Sequence, residues 1–208
     1  MNWGKLSTKI KLLLADLPYV FKRLPKSASL DVPYYCQFMS ADLVEKYISD
    51  KPSLSTDPKW RESGAKTIEE YQMWTWSDCG ITCFKMILSA IDKKYDPLTL
   101  VELCKYVKEK FNLNAKIAKL LTLNRIKDEI SRGNFVIISV HPSIRFPDST
   151  APAKRGGHLV LVVGYDEKGI YIHNPSGYKS NNSQERAFVK YEQFKKFFAN
   201  RGIVIKRS

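Results

Sequence analysis

The chain reads as an α+β domain. Helix-period apolar patterns fill its first half, short Val-, Ile- and Tyr-rich runs bounded by Gly, Pro and Asp fill its second, and one strongly apolar helix lies between them. At 208 residues the chain fits one domain with a sizeable core, and its hydrophobic share of 44% is that of an ordinary globular protein. There is no internal repeat.

Leu6, Ile10, Leu13, Leu14 and Leu17 recur at helical spacing with the lysines mostly opposite, and Pro18 limits the helix. This predicts a helix packed on the domain, with a membrane-surface or partner-binding helix as the functional alternative. Residues 1–29 are thus a basic amphipathic extension ahead of a main domain over 30–208. Leu30–Tyr35 reads as extended. Residues 39–76 read as an inserted segment with short helices around Ala41–Ile48 and Thr67–Trp74. Trp60, Tyr71, Trp74 and Trp76 need burial, which predicts an ordered subdomain or flap.

From Cys79 to Ile91 the apolar residues occupy most sides of a helix, as in a central buried helix. Thr99-x-x-Glu102 forms a capping box for a helix ending near Phe111. Leu123, Ile126 and Ile130 mark a short helix closed by Gly133. Strands follow over Phe135–Val140, His158–Tyr165 and Gly169–His173, then a helix Tyr191–Asn200 and a last strand Ile203–Lys206.

Net charge is +13, concentrated at the two ends of the chain. No zinc-finger spacing, aromatic RNA-binding signature or Arg-rich run accompanies it, which argues against specific nucleic-acid recognition. Four scattered cysteines (Cys36, Cys79, Cys83, Cys104) make no disulfide scaffold, and no histidine lies near enough for a zinc site, so neither metal nor cofactor is expected. The run Leu12–Ala15 stops at Asp16 with no cleavage site after it, so a signal peptide is not expected and the cytoplasm is the default location.

The chemistry gathers around Cys79. Ser77 or Asp78 is a plausible N-cap, placing Cys79 in the first turn of the buried helix, where orphan N–H groups and the helix dipole favour a thiolate. Gly80 leaves room for a substrate carbonyl, and the Cys79 N–H can donate to an oxyanion. Alone, such a cysteine is more often a core residue. Its standing changes with Gly156-Gly157-His158, where an imidazole opens an apolar strand, and with Asn174-Pro175, which ends the returning strand at the same open end of the hairpin. A carboxamide there can hold the ring in the tautomer that accepts the thiol proton. His158 and Asn174 face one side only if the connecting loop is odd in length or a bulge intervenes. His141, in a loop before Pro142, and His173, of opposite parity to Asn174, are the rivals for the base. Cys83 lies one turn deeper and reads as core.

The strings Val32-Pro33-Tyr34-Tyr35-Cys36-Gln37, Asp78-Cys79-Gly80-Ile81-Thr82-Cys83-Phe84, Gly157-His158-Leu159-Val160-Leu161-Val162-Val163-Gly164-Tyr165 and Asn174-Pro175 resemble the papain-like cysteine peptidases of the bacteriocin-processing, double-glycine-leader type. The resemblance implies a papain-like fold. It also implies Cys79 as nucleophile, His158 as base, Asn174 as the residue orienting it, and Gln37 as a donor to the oxyanion. The stretch from Gln37 to Cys79 is longer than that pattern. The implied activity is amide-bond cleavage in a peptide or protein substrate, with peptide maturation as one setting. An acyltransferase or transglutaminase-like enzyme using the same residues and a catalytically retired binding module are the alternatives. The sequence leaves oligomeric state open.

Overall fold

The computed structural model describes residues 7–106, 114–177 and 184–207. The elements run α1 (Thr8–Val20), β1 (Ala28–Ser29), α2 (Val44–Ser49), α3 (Ile68–Ser77), α4 (Cys79–Ile91), α5 (Leu100–Tyr106), β2 (Asn114–Ala118), α6 (Leu123–Ser131), β3 (Phe135–Val140), β4 (His158–Tyr165), β5 (Gly169–His173), β6 (Ala187–Lys190), α7 (Tyr191–Phe197) and β7 (Phe198–Lys206). The class is α+β.

The strands form one antiparallel sheet in the order β2-β7-β3-β4-β5-β6, with the short β1 paired to the end of β4. β3 is buried along its whole length and β4 nearly so, which explains why both read as continuous apolar runs rather than alternating ones. Helices α4 and α6 both pack against β3 and β4. The core joins Cys83, Met86 and Ile87 of α4 and Ile126 and Ile130 of α6 to the strand residues.

The boundaries of α4, β3, β4 and β5 follow the sequence expectation, because period and punctuation agree there. The Thr99–Glu102 capping box is reciprocal: the Thr99 N–H donates to Glu102 Oε2 at 2.8 Å and the Glu102 N–H to Thr99 Oγ1 at 3.2 Å. The expected end of that helix near Phe111 lies outside the described residues. The helix expected over Tyr191–Asn200 stops at Phe197. Phe198 already pairs with Val140, and Asn200 takes a φ of 54° that a helix cannot hold. Strands β1, β2 and β6 were not expected. β2 is an edge strand, exposed at four of its five positions, so it carries little apolar signal.

Residues 39–76 enclose a second, smaller core in which Val44, Tyr47, Leu54, Ala65 and Tyr71 pack with Phe38 and Val101. Its polar centre is the buried carboxylate of Asp57, which accepts from Ser40 Oγ at 2.6 Å, Tyr71 OH at 2.5 Å and the Lys59 N–H at 2.9 Å. Of the aromatics expected to be buried, Tyr71 is, whereas Trp76 stays 39% exposed at a cleft rim.

Helix α1 departs further from expectation. It packs on α6, but Ile10, Leu13 and Leu17, read as its packing stripe, point into solvent. The opposite face docks instead. Asn124 Nδ2 of α6 donates to Asp16 Oδ2 at 2.8 Å, and Lys22 Nζ lies 2.9 Å from Asp128 Oδ2.

Candidate active site

Helices α3 and α4 meet at Asp78, which takes φ −84° and ψ 8°, so the chain runs from one helix to the next through a single residue. Asp78 occupies the N-cap position of α4, but its side chain makes no capping bond. Cys79 is the first residue of α4, where backbone N–H groups lack intrahelical acceptors. The backbone N–H groups of Cys79, Gly80 and Leu159 all act on its thiol to favour the thiolate. Burial acts more strongly, and the nearby Asp78 carboxylate adds to it, so the thiol is pushed above its usual range. The expected net preference for thiolate is therefore reversed in the resting protein.

The start of α4 lies directly against the start of β4. A side chain on Gly80 would bring its Cβ to 3.0 Å from Leu159 Cδ1, and Cys83 Sγ sits 3.7 Å from the Leu159 carbonyl. Gly80 thus serves the close approach of helix to strand. Cys83 is fully buried, its thiol pushed well up by desolvation, in keeping with a core role.

His158 precedes Leu159 and opens β4. Its Nε2 lies 2.8 Å from Asn174 Oδ1. Both residues are buried. The same Oδ1 accepts from Ser176 Oγ at 2.8 Å and from the Ser176 N–H at 3.2 Å, while Asn174 Nδ2 donates to Gln184 Oε1 at 2.6 Å. These partners fix the amide so that its oxygen faces the ring. An acceptor at Nε2 places the ring proton there and leaves Nδ1 as the basic nitrogen. No hydrogen bond among the described residues engages Nδ1. Burial holds the imidazole down to about 4, opposed by the Asn174 bond and assisted by the nearby Arg145.

The shared face of His158 and Asn174 has a specific origin. Leu161 pairs with His173 and Val162 with Ile172, but beyond them Gly164 pairs with Tyr171, so Val163 is an extra residue on β4. Its carbonyl accepts instead from the Leu30 N–H at 2.8 Å. On the His158 side of the bulge the register sets Asn174 opposite Val160, on the same face as His158. Without the bulge, Asn174 would stand opposite Leu161, on the other face.

Gln37 is buried at a bend in the chain, with its side chain against the last turn of α3. Its N–H donates to the Pro175 carbonyl at 2.8 Å, and its Nε2 donates to the Thr75 carbonyl in the last turn of α3 at 2.7 Å. Gln37 thus ties the Asn174-Pro175 segment to the helix that leads into Cys79. One of its two amide hydrogens serves Thr75, leaving the other for a ligand.

The rivals have other roles. His173 Nε2 donates to the Val32 carbonyl at 2.9 Å, and its Nδ1 accepts from the Arg186 N–H at 3.0 Å, so both ring nitrogens are spent on backbone. His141 Nδ1 lies 2.6 Å from Ser143 Oγ and caps a 3-10 turn. Cys36 packs against Gly177 and accepts from the Phe38 N–H. The sequence reading missed Ser176 and Gln184. Ser176 follows the Asn-Pro pair and was within reach of local reasoning, whereas Gln184 enters from a loop with no motif.

A cleft of about 380 Å³ opens beside these residues, lined by Gln37, His158, Gly157 and Ser176 on one side. Phe38, Ile48, Lys51, Trp76, Pro142, Ser143, Arg145 and Phe146 complete its wall, so residues 39–76 contribute part of it. Among the described residues no group of His, Cys, Asp or Glu could hold a metal ion.

The sequence profile of the family described as "Peptidase_C39 like family" matches residues 16–204. A curated relative, "Uncharacterized protein YvpB" of Bacillus subtilis (strain 168), is 31% identical over 61 residues, spanning 29% of this chain and 24% of that protein.

Proposed function

Because the chain belongs to the Peptidase_C39 like family, we propose that it is a papain-like cysteine peptidase cleaving an amide bond in a peptide or protein. His158 Nδ1 takes the Cys79 thiol proton as Sγ attacks the substrate carbonyl. The carbonyl oxygen becomes an oxyanion received by the Cys79 N–H and the second hydrogen of Gln37 Nε2. Collapse breaks the C–N bond, the leaving amine takes the proton from the imidazolium, and a thioester to Cys79 remains. Water then loses a proton to His158 and attacks the thioester. The acid is released and the thiol restored.

The observation that carries this reading is the 2.8 Å contact between His158 Nε2 and Asn174 Oδ1, which leaves Nδ1 basic on the residue next to Leu159, whose backbone N–H acts on the Cys79 thiol. Thiol and imidazole rest as a neutral pair, one pushed up and the other down by burial. Proton transfer therefore accompanies attack rather than preceding it. The cleft wall from residues 39–76 selects the substrate.

A peptide-binding module without turnover is the second reading, favoured by the same neutral resting pair. One experiment separates them: incubation with a mixed peptide library, with products and intact protein followed by mass spectrometry. Cleaved peptides and a thioester adduct, both abolished in Cys79→Ala, support the peptidase. Peptide retained uncut by wild type and Cys79→Ala alike supports the binding module, and amide-linked products formed with an added amine indicate acyl transfer.

A further inference from the structure

Helix α1 presents an apolar face to solvent. Ile10, Leu13, Leu17, Val20 and Phe21 are 44%, 69%, 51%, 54% and 86% exposed. At about 100° per residue they fall within an arc of roughly 100° along one side of the helix. Leu12, Ala15, Asp16 and Tyr19 occupy the other side, and all are at least partly covered.

The helix is pinned in this orientation. Asn124 and Asp128 of α6 hold Asp16 and Lys22 at 2.8 and 2.9 Å, so the apolar row is turned away from the domain's core. Charge complements it. Lys9 and Lys11 flank the row on its two sides and Arg23 follows its end, while the one acid of the helix, Asp16, lies on the opposite side, against Asn124. An apolar stripe bordered by lysines matches the boundary between acyl chains and anionic headgroups. No helix among the described residues is long and apolar enough to cross a membrane.

We propose that α1 is a docking helix for an anionic lipid surface, lying in the interface with Leu13 and Leu17 in the acyl region and Lys9 and Lys11 at the headgroups. The site is separate from the chemistry at Cys79 and does not depend on it. It would hold the domain at a membrane reversibly, placing the cleft near substrates that gather there.

The test is flotation of the full chain with vesicles of phosphatidylcholine alone and with vesicles that also contain phosphatidylglycerol, at low and raised salt. Binding is expected to the anionic vesicles and to weaken with salt. Leu13→Ser with Leu17→Ser keeps every charge and alters only exposed positions. This double variant should lose binding by at least about tenfold while its thermal midpoint stays unchanged. Lys9→Gln with Lys11→Gln should also weaken binding by about tenfold. Absence of wild-type binding would overturn the proposal. So would equal binding by the serine variant, which would mean general attraction of a basic protein. A dimer in sedimentation equilibrium that the serine variant dissociates would assign the face to a second copy instead.

Discussion

His158 and Asn174 share a face of the sheet because Val163 bulges from the β4–β5 ladder, bringing His158 Nε2 to 2.8 Å from Asn174 Oδ1. The bulge is held from outside the hairpin, since the Leu30 N–H takes the Val163 carbonyl. Three donors converge on the Asn174 oxygen, and its own N–H₂ is spoken for by Gln184. Such an arrangement sets the ring's tautomer as well as its position.

Asn174→Ala removes the acceptor for His158 and Ser176 in a buried setting. Stability should fall by about 1–3 kcal/mol through the stranded donors. Turnover should drop by about 10² or more, with KM changing far less. Asn174→Asp keeps the acceptor and adds charge beside the imidazole, so the acid limb of kcat/KM should move upward from near 4, where burial holds His158. Steady-state kinetics across pH on both variants checks this. An unmoved acid limb in Asn174→Asp would remove His158 from the role of base.

Gln37 joins two structures, donating from Nε2 to the Thr75 carbonyl and lying beside the proposed oxyanion position. Gln37→Glu preserves its shape but sets a carboxylate against the Thr75 carbonyl and against developing negative charge. It should lower kcat by about 10²–10³. Gln37→Ala, which only deletes the donor, should lose less turnover than the Glu variant. Equal kcat in all three proteins, with a shift only in thermal midpoint, would leave Gln37 as a cap for α3.

Some of this was open to reading in the sequence, for physical reasons. The start of α4 at Cys79 and the limits of β3, β4 and β5 lie where apolar period and Gly/Asp punctuation coincide. The bulge was not visible, because Val163 sits in a uniform run and becomes the extra residue only through partners on β5 and at Leu30. Nor was the orientation of α1, since periodicity shows which face of a helix is apolar and not whether anything covers it. The ionisation at Cys79 turned on burial at a helix–strand contact with Leu159, a quantity that a helix N-terminus alone cannot supply. Gln184 came from a loop whose composition points nowhere.

Trp76 stands at the rim of the cleft with the Lys51 ammonium 5.2 Å from its ring centroid, and both belong to the wall that residues 39–76 help to form. Trp76→Ala should raise KM by about tenfold for preferred peptides while leaving kcat nearly intact. Alkylation of Cys79 by a small reagent should be unaffected. The partly exposed ring makes a large stability loss unexpected, so a thermal midpoint near that of wild type is part of the prediction. A fall in kcat without change in KM would place Trp76 in the chemistry rather than in selection.

Two buried groups near Cys79 give stability opposite dependences on pH. His158 is held down to about 4 from an ordinary 6.5, so between those values the unfolded chain carries a proton that the folded protein does not. Its contribution is present above about 6.5 and is lost as pH falls, amounting to about 3 kcal/mol across the window. Asp78 is raised by burial from 3.8 to about 7, so the folded protein keeps a proton that the unfolded chain has released. Its effect runs the other way, with stability declining by up to about 4 kcal/mol as pH rises through that range. Relative to wild type, Asp78→Asn should therefore gain stability from pH 4 to 7, and His158→Gln should lose it. Urea unfolding at intervals of pH measures both differences, and the lowered His173 is common to all three proteins and cancels. Removal of the Asp78 charge should also ease ionisation of the Cys79 thiol, quickening its alkylation near pH 8 by less than about tenfold. An Asp78→Asn stability curve parallel to that of wild type would mean that this carboxyl ionises as freely in the folded protein as in the unfolded chain.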